Sequence, residues 1–136
     1  MADVIVYSQQ ISHEWERRNL LHHVHAGRVP HANVCDADFL LVTAAKFHGW
    51  ASARPCPLCE AEMRNVKWIY SEKLGRRSGT ARNDDEIADI TAEVGELTVH
   101  TVEVCPSCRW NHLLVEEQAR VQVPGKKTGD REVMDD

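Results

Sequence analysis

Leu97-Thr98-Val99-His100-Thr101-Val102-Glu103-Val104-Cys105-Pro106-Ser107-Cys108-Arg109-Trp110-Asn111-His112-Leu113-Leu114-Val115 is the stretch that decides the fold. Residues 97–104 are rich in Val and Thr, β-branched types that suit a pleated surface, and they predict a strand. That strand runs into a Cys-Pro-x-Cys turn, and residues 110–115 leave the turn as a returning strand. The same pattern stands earlier as Cys56-Pro57-Leu58-Cys59. Two residues between cysteines let one tight turn present both sulfurs to one ion, and two such turns supply four thiolates for a tetrahedral site. The proline restricts φ and lowers the chain entropy lost when the turn forms. One pair alone would also suit a redox dithiol. Two matched pairs predict one structural zinc ion held by Cys56, Cys59, Cys105 and Cys108. Four protein sulfurs close the coordination shell and leave no position for an activated water.

Upstream of these turns the apolar pattern is helical. Ile11, Trp15, Leu21 and Val24 fall on one face of a helix expected over residues 8–26, with Gly27 as its stop. A second helix is expected after a cap at Asp36, with Phe39, Leu40, Thr43, Ala44 and Phe47 inward and Gly49 ending it. The link of about nine residues between them is longer than the three or four of a DNA-reading helix-turn-helix. Between the cysteine turns, residues 66–70 predict a strand and residues 71–82 a loop. Asn83 and Glu86 form a capping box ahead of Ile87, Ile90 and Val94 in a third helix that Gly95 ends. The 45 residues between Cys59 and Cys105 exceed a compact ribbon's spacing, and the loop and third helix account for the excess.

The expected fold is therefore α+β: an N-terminal helical hairpin over residues 1–53, then a four-cysteine zinc-ribbon lobe over 54–122. That lobe would hold a small antiparallel sheet with an inserted helix. Residues 123–136, rich in Gly, Lys and Asp, predict a disordered tail. A length of 136 residues fits one domain, and 43% apolar content fits a globular chain. No run approaches the ~18 apolar residues of a membrane span, and the N-terminus lacks a secretory pattern. A cytoplasmic setting is expected, where thiols stay reduced and bind metal.

The net charge of −5 is unevenly spread. Residues 54–82 carry seven basic and three acidic groups, whereas residues 84–103 carry seven acidic groups and no Lys or Arg. Lys73, Arg76, Arg77 and Arg82, in a Gly-containing loop, are the candidate partner-binding residues, suited to a phosphate backbone or an acidic protein surface. Trp68 and Trp110 would either stack on bases or pack the core over the cysteine turns. His112 could donate to a metal-bound sulfur. His22 and His25, at i and i+3, with His31 nearby, have the spacing of a second metal site but lack a completing ligand. Cys35 is expected to be a buried, inert thiol.

Several markers recur together: Lys46-Phe47-His48-Gly49, the first Cys-Pro-x-Cys, Leu74-Gly75, Ser78-Gly79-Thr80-Ala81-Arg82, Val102-Glu103-Val104-Cys105 and Trp110-Asn111-His112-Leu113. Over roughly residues 10–117 they resemble an uncharacterised actinobacterial zinc-ribbon family, a domain of unknown function. The resemblance implies the domain boundaries and a cytoplasmic bacterial setting, and it brings no activity with it.

No nucleophile elbow, Walker loop, His-Glu-x-x-His or dinucleotide fingerprint is present, and no catalytic residue is assigned. The expected function is non-catalytic binding by an accessory protein that docks on an assembly of the transcription or translation type. Two alternatives stay open: direct DNA or RNA binding through the basic loop, and thiol-based redox sensing. No small-molecule substrate or membrane partner is evident.

Overall fold

A computed structural model describes residues 4–122. The order of elements is β1 (Val4–Ser12), α1 (Glu14–His25), a 3-10 turn (His31–Asn33), α2 (Phe39–His48), β2 (Trp50–Pro55) and β3 (Glu62–Tyr70). A 3-10 segment (Glu72–Arg77), β4 (Thr80–Arg82), α3 (Asp84–Val94), β5 (Glu96–Val104) and β6 (Asn111–Gln122) follow. The six strands form one antiparallel sheet in the order β1-β6-β5-β3-β2, with β4 also paired to β3.

This corrects the expected helical hairpin with a small ribbon. Strands hold 40% of the described chain, and they curl into a half-barrel that joins the two ends of the described residues. Residues 4–12, read in part as the start of a helix, pair with β6, Val4 opposite Gln122 and Ser8 opposite Gln118. The run Val4-Ile5-Val6-Tyr7 has the β-branched and aromatic character of a strand, and β6 gives it an edge to add to. The returning strand, expected to end at Val115, continues to Gln122 because β1 covers its outer edge. The expected tail, residues 123–136, lies outside the described residues.

Strand register sorts the side chains onto two faces. Met63, Ile69, Leu97, Val99 and Ala119 face one side, where α1 packs near the cysteine turns and α3 packs farther along. Val66, Val102 and Val104 face the other side, against α2. The two helices read as a hairpin thus join different core clusters on opposite faces. The Lys67 ammonium lies 5.0 Å from the centre of the Tyr7 ring, although two strands separate β3 from β1. Three steps of ~4.8 Å would hold those strands apart in a flat sheet, so the sheet curls toward this face.

The inward face of α2 is also corrected. Ala45 is buried, with Leu41, Val42 and Ala44 packed beside it, whereas Phe39, Leu40 and Phe47 point outward. The helix Phe-Leu-Leu-Val-Thr-Ala-Ala-Lys-Phe-His is apolar nearly all round, so periodicity cannot choose a face. Close approach chooses it instead. A Cβ on Gly49 would sit 2.2 Å from the Asn65 carbonyl oxygen, and the small Ala44–Ala45 side lets the helix lie that near to β3. Arg64 fastens the contact, donating to the carbonyl oxygens of Ala45 at 3.0 Å and Gly49 at 2.8 Å. The N-cap is Asp38, not Asp36, and its carboxylate accepts from the Leu41 N–H at 2.8 Å. By contrast α3 has the expected box: Asn83 and Glu86 cap each other, Ile87 and Ile90 are buried, and Gly95 ends the helix at φ 95°.

Candidate metal centre

The two Cys-Pro-x-Cys segments are the connections of two β-hairpins, β2 to β3 and β5 to β6. Their backbones match bond for bond. In the first, Cys56 N–H donates to Ala61 O at 2.8 Å and Glu60 N–H to Cys56 O at 3.0 Å. In the second, Cys105 N–H donates to Trp110 O at 2.8 Å and Arg109 N–H to Cys105 O at 2.9 Å. An amide inside each turn also donates to its first sulfur, Leu58 to Cys56 and Cys108 to Cys105, both at 3.4 Å. The residue after the second cysteine takes a left-handed conformation in both, φ 67° at Glu60 and 72° at Arg109. Glycine suits this position, and the chain holds it here with two ordinary side chains.

The turns bring Cys56, Cys59, Cys105 and Cys108 together with all four sulfurs within 4.8 Å of one another. Across the turns, Cys56 Sγ and Cys108 Sγ are 3.6 Å apart, and Cys59 Sγ and Cys105 Sγ are 3.5 Å apart. A regular tetrahedron of zinc–sulfur bonds near 2.3 Å has sulfur–sulfur edges of about 3.8 Å, so the donor set fits a tetrahedral thiolate ion. Burial pushes the Cys56 and Cys105 thiols up and Cys108 up to about 12, whereas a hydrogen bond from the backbone of Ala61 draws Cys59 down to about 7. Cys56 and Cys105 are buried, Cys108 is half-buried and Cys59 is exposed, and negative charge on four sulfurs this close is favoured by a cation among them. The four could hold a metal ion. Among the described residues His22, His25 and His31 form no such group.

A charge network centred on one buried carboxylate links the approaches to both turns. The Glu103 side chain is fully buried and accepts from Trp110 Nε1 at 2.8 Å, from Arg54 Nη2 at 3.1 Å and from Arg17 Nε. Arg54 also makes a two-pronged pair with Glu14, at 2.9 and 3.1 Å, which holds the Glu14 carboxyl below its ordinary range. Sequence reading passed over these residues, yet they carried a signal. Arg54 and Glu103 each stand two positions before the first cysteine of a pair, with opposite charges. The clamp ties the approach to one turn to the approach to the other and anchors α1 to both.

Cys35 is half-buried, with its sulfur 3.8 Å from Cys108 Sγ. Its segment is pinned to the second turn by Ala37 N–H donating to Arg109 O at 3.0 Å and Asn111 Nδ2 donating to Asp36 at 2.8 Å. All five cysteines of the chain therefore meet in one place. His112 stacks on Trp110, ring centres 5.9 Å apart, with Nδ1 2.7 Å from the Leu113 carbonyl oxygen. Trp110 is a core residue, fully buried, and Trp68 packs beside α2.

The candidate partner-binding cations lie elsewhere, against α3. Arg77 pairs with Glu93 at 2.7 and 3.2 Å, Lys73 Nζ reaches Val94 O at 3.4 Å, and Arg82 lies 3.9 Å from Glu86. Arg76 has no side-chain partner of this kind among the described residues.

The chain belongs to a family of unknown function, DUF5318, whose model matches residues 4–132. It is similar to Uncharacterized protein Mb0050 of Mycobacterium bovis and Uncharacterized protein Rv0049 of Mycobacterium tuberculosis. Each is 46% identical over 99 residues, covering 72% of this chain and 72% of the relative. No solved structure matches. No helix among the described residues is long and apolar enough to cross a membrane.

Proposed function

We propose that this member of the DUF5318 family is a non-catalytic binding protein of the cytoplasm. Cys56, Cys59, Cys105 and Cys108 hold one structural zinc ion, and the protein docks as an accessory on a transcription or translation assembly. The observation that carries this reading is the convergence of two like turns on a closed set of four sulfurs. A closed set gives zinc a folding role and no site for substrate. Docking by modules of this kind is an analogy from the paired-turn architecture.

The polar contact runs through Lys73, Arg76, Arg77 and Arg82. Arg76 is available at once, and an acidic partner exchanges with Glu93 and Glu86 for Arg77 and Arg82. The test is capture of tagged, metal-loaded protein from its native host, with elemental analysis of the same material. One zinc per chain and one protein complex, lost in Arg76→Glu/Arg77→Glu, are expected. Retention on DNA or RNA that falls steeply with salt and vanishes in the same variant would replace docking with direct nucleic-acid binding. Iron, or a folded chain that takes up no metal, would end the zinc reading.

The contact between Cys35 and Cys108 favours a second reading, thiol-based redox sensing. Hydrogen peroxide would take two electrons from the Cys35 thiol and the metal-bound Cys108 thiolate and, with the Cys35 proton and one proton from solvent, give a Cys35–Cys108 disulfide and two molecules of water. Loss of Cys108 from the donor set would then release the metal. Peptide mapping after mild peroxide decides the matter: a linked Cys35–Cys108 pair with zinc release supports it. Unchanged zinc release in Cys35→Ser contradicts it.

A further inference from the structure

We propose that the outer face of α2 is a self-association surface, covered by α2 of a second copy of this chain lying antiparallel to it. This inference does not rest on the metal or docking readings, although Arg82 and Glu86 of the docking contact also line the groove beside α2. Phe39, Leu40 and Phe47 are 74%, 72% and 77% exposed, on a helix whose buried contacts are made by small residues. Leu40, Thr43 and Phe47 fall at i, i+3 and i+7, so they form one stripe, with Phe39 beside it. Covering the three large side chains removes on the order of 400 Å² per copy, about half of what a standard interface takes from each partner.

The rest of the required surface is next to the stripe. A groove of about 370 Å³ is lined by Leu40, His48, Trp68, Ala81, Arg82 and Glu86. Leu40 and His48 are two turns apart, so the groove follows the length of α2 and offers a seat for a phenylalanine from the opposite copy.

The ends of α2 choose the occupant and its direction. Exposed Asp36 and Asp38 precede the helix, and exposed Lys46 is in its last turn. A parallel copy would set like charges and like helix ends side by side. An antiparallel copy sets Asp36 and Asp38 against Lys46 twice, with the helix dipoles opposed. A patch with acid at one end, base at the other and apolar groups between is complementary to itself, as a two-fold interface requires.

Sedimentation equilibrium on the metal-loaded full chain, from low to high micromolar, tests this. The wild type should show a monomer–dimer equilibrium, and Phe47→Glu should weaken it at least tenfold, with metal content unchanged and with an unchanged melting temperature at low concentration, where both proteins are monomeric. Lys46→Glu should weaken association, and Asp36→Lys with Lys46→Glu should restore it. A wild type that stays monomeric throughout overturns the proposal, even if Phe47→Glu abolishes capture of a different protein. So does a Phe47→Glu variant that dimerises as well as the wild type, or a charge swap that restores nothing while the double variant melts normally.

Discussion

In the first cysteine turn the Cys56 N–H donates to Ala61, a half-buried alanine. In the second the Cys105 N–H donates to Trp110, which is fully buried. The two backbones repeat each other down to the left-handed residue, but their surroundings do not. Around the second turn lie Glu103, Trp110, the Cys35 segment and the Asn111–Asp36 bond. The first turn has Cys59 at its exposed tip. Local sequence thus sets the conformation of a turn, and what packs around it sets how firmly that turn is held. The second turn is a core element that also offers sulfurs, and the first closes over it.

The largest expected effects come from the sulfurs and separate the turns. Structural zinc contributes roughly 10–16 kcal/mol of apparent binding free energy in small zinc domains. Cys108→Ser and Cys59→Ser, at equivalent positions of the two turns, should therefore both fail to retain stoichiometric metal by elemental analysis. In metal-free protein they should differ: Cys108 is half-buried beside Cys35, whereas Cys59 is exposed. Urea unfolding of the metal-free forms should show Cys108→Ser as the less stable of the two. Equal stabilities would mean that the turns are equivalent after all.

Next comes the clamp. Glu103→Ala leaves Arg17 and Arg54 without their shared buried carboxylate and leaves the Trp110 N–H unpaired. Removing one partner of a buried ion pair costs about 3–5 kcal/mol, and denaturant unfolding of the metal-loaded protein should show a loss of that size. A loss below about 1 kcal/mol would mean that the second turn does not depend on its setting.

Smaller, and expected to be equal in the two turns, is the effect of supplying the glycine each backbone asks for. An ordinary residue in the left-handed region costs about 1–2 kcal/mol, and glycine returns about 0.5–1 of that through its greater unfolded freedom. Glu60→Gly and Arg109→Gly should each stabilise by up to about 1 kcal/mol, read as a rise in the urea midpoint. A gain at one site only would show that the shared φ conceals different strain.

The parts legible in the sequence are those written in short spacings. The cysteine pairs, the Asn83–Glu86 box, the Ile87–Ile90 face and the strand before Cys105 all depend on residues within a turn or two. What was hidden depends on distant partners. β1 exists because β6 offers an edge across nearly the whole chain, and Glu116, Glu117, Gln118 and Arg120 in β6 give little strand propensity of their own. The face of α2 is set by Gly49 and Ala45 meeting β3, a contact that a uniformly apolar helix does not announce. The Arg54–Glu103 clamp lies between: its charges and matched offsets were visible, but their burial was not.

The smallest expected effect is at the exposed end of the clamp and depends on pH. Glu14 lies in the first turn of α1, and its hydrogen bonds with Arg54 hold its folded value below the ordinary 4.5. A carboxyl lowered on folding adds stability above its unfolded value and loses it as pH falls through the folded one. Both partners are about 40% exposed, so solvent screening keeps the contribution under about 1 kcal/mol. Glu14→Gln should therefore cost a few tenths of a kcal/mol near neutral pH, including a small helix-dipole share. Below the folded value, where wild-type Glu14 is itself protonated, the difference should vanish. Paired urea titrations at neutral and acid pH check this. A Glu14→Gln cost that persists in acid would assign Glu14 a packing role and leave Glu103 as the only carboxylate that the first turn uses.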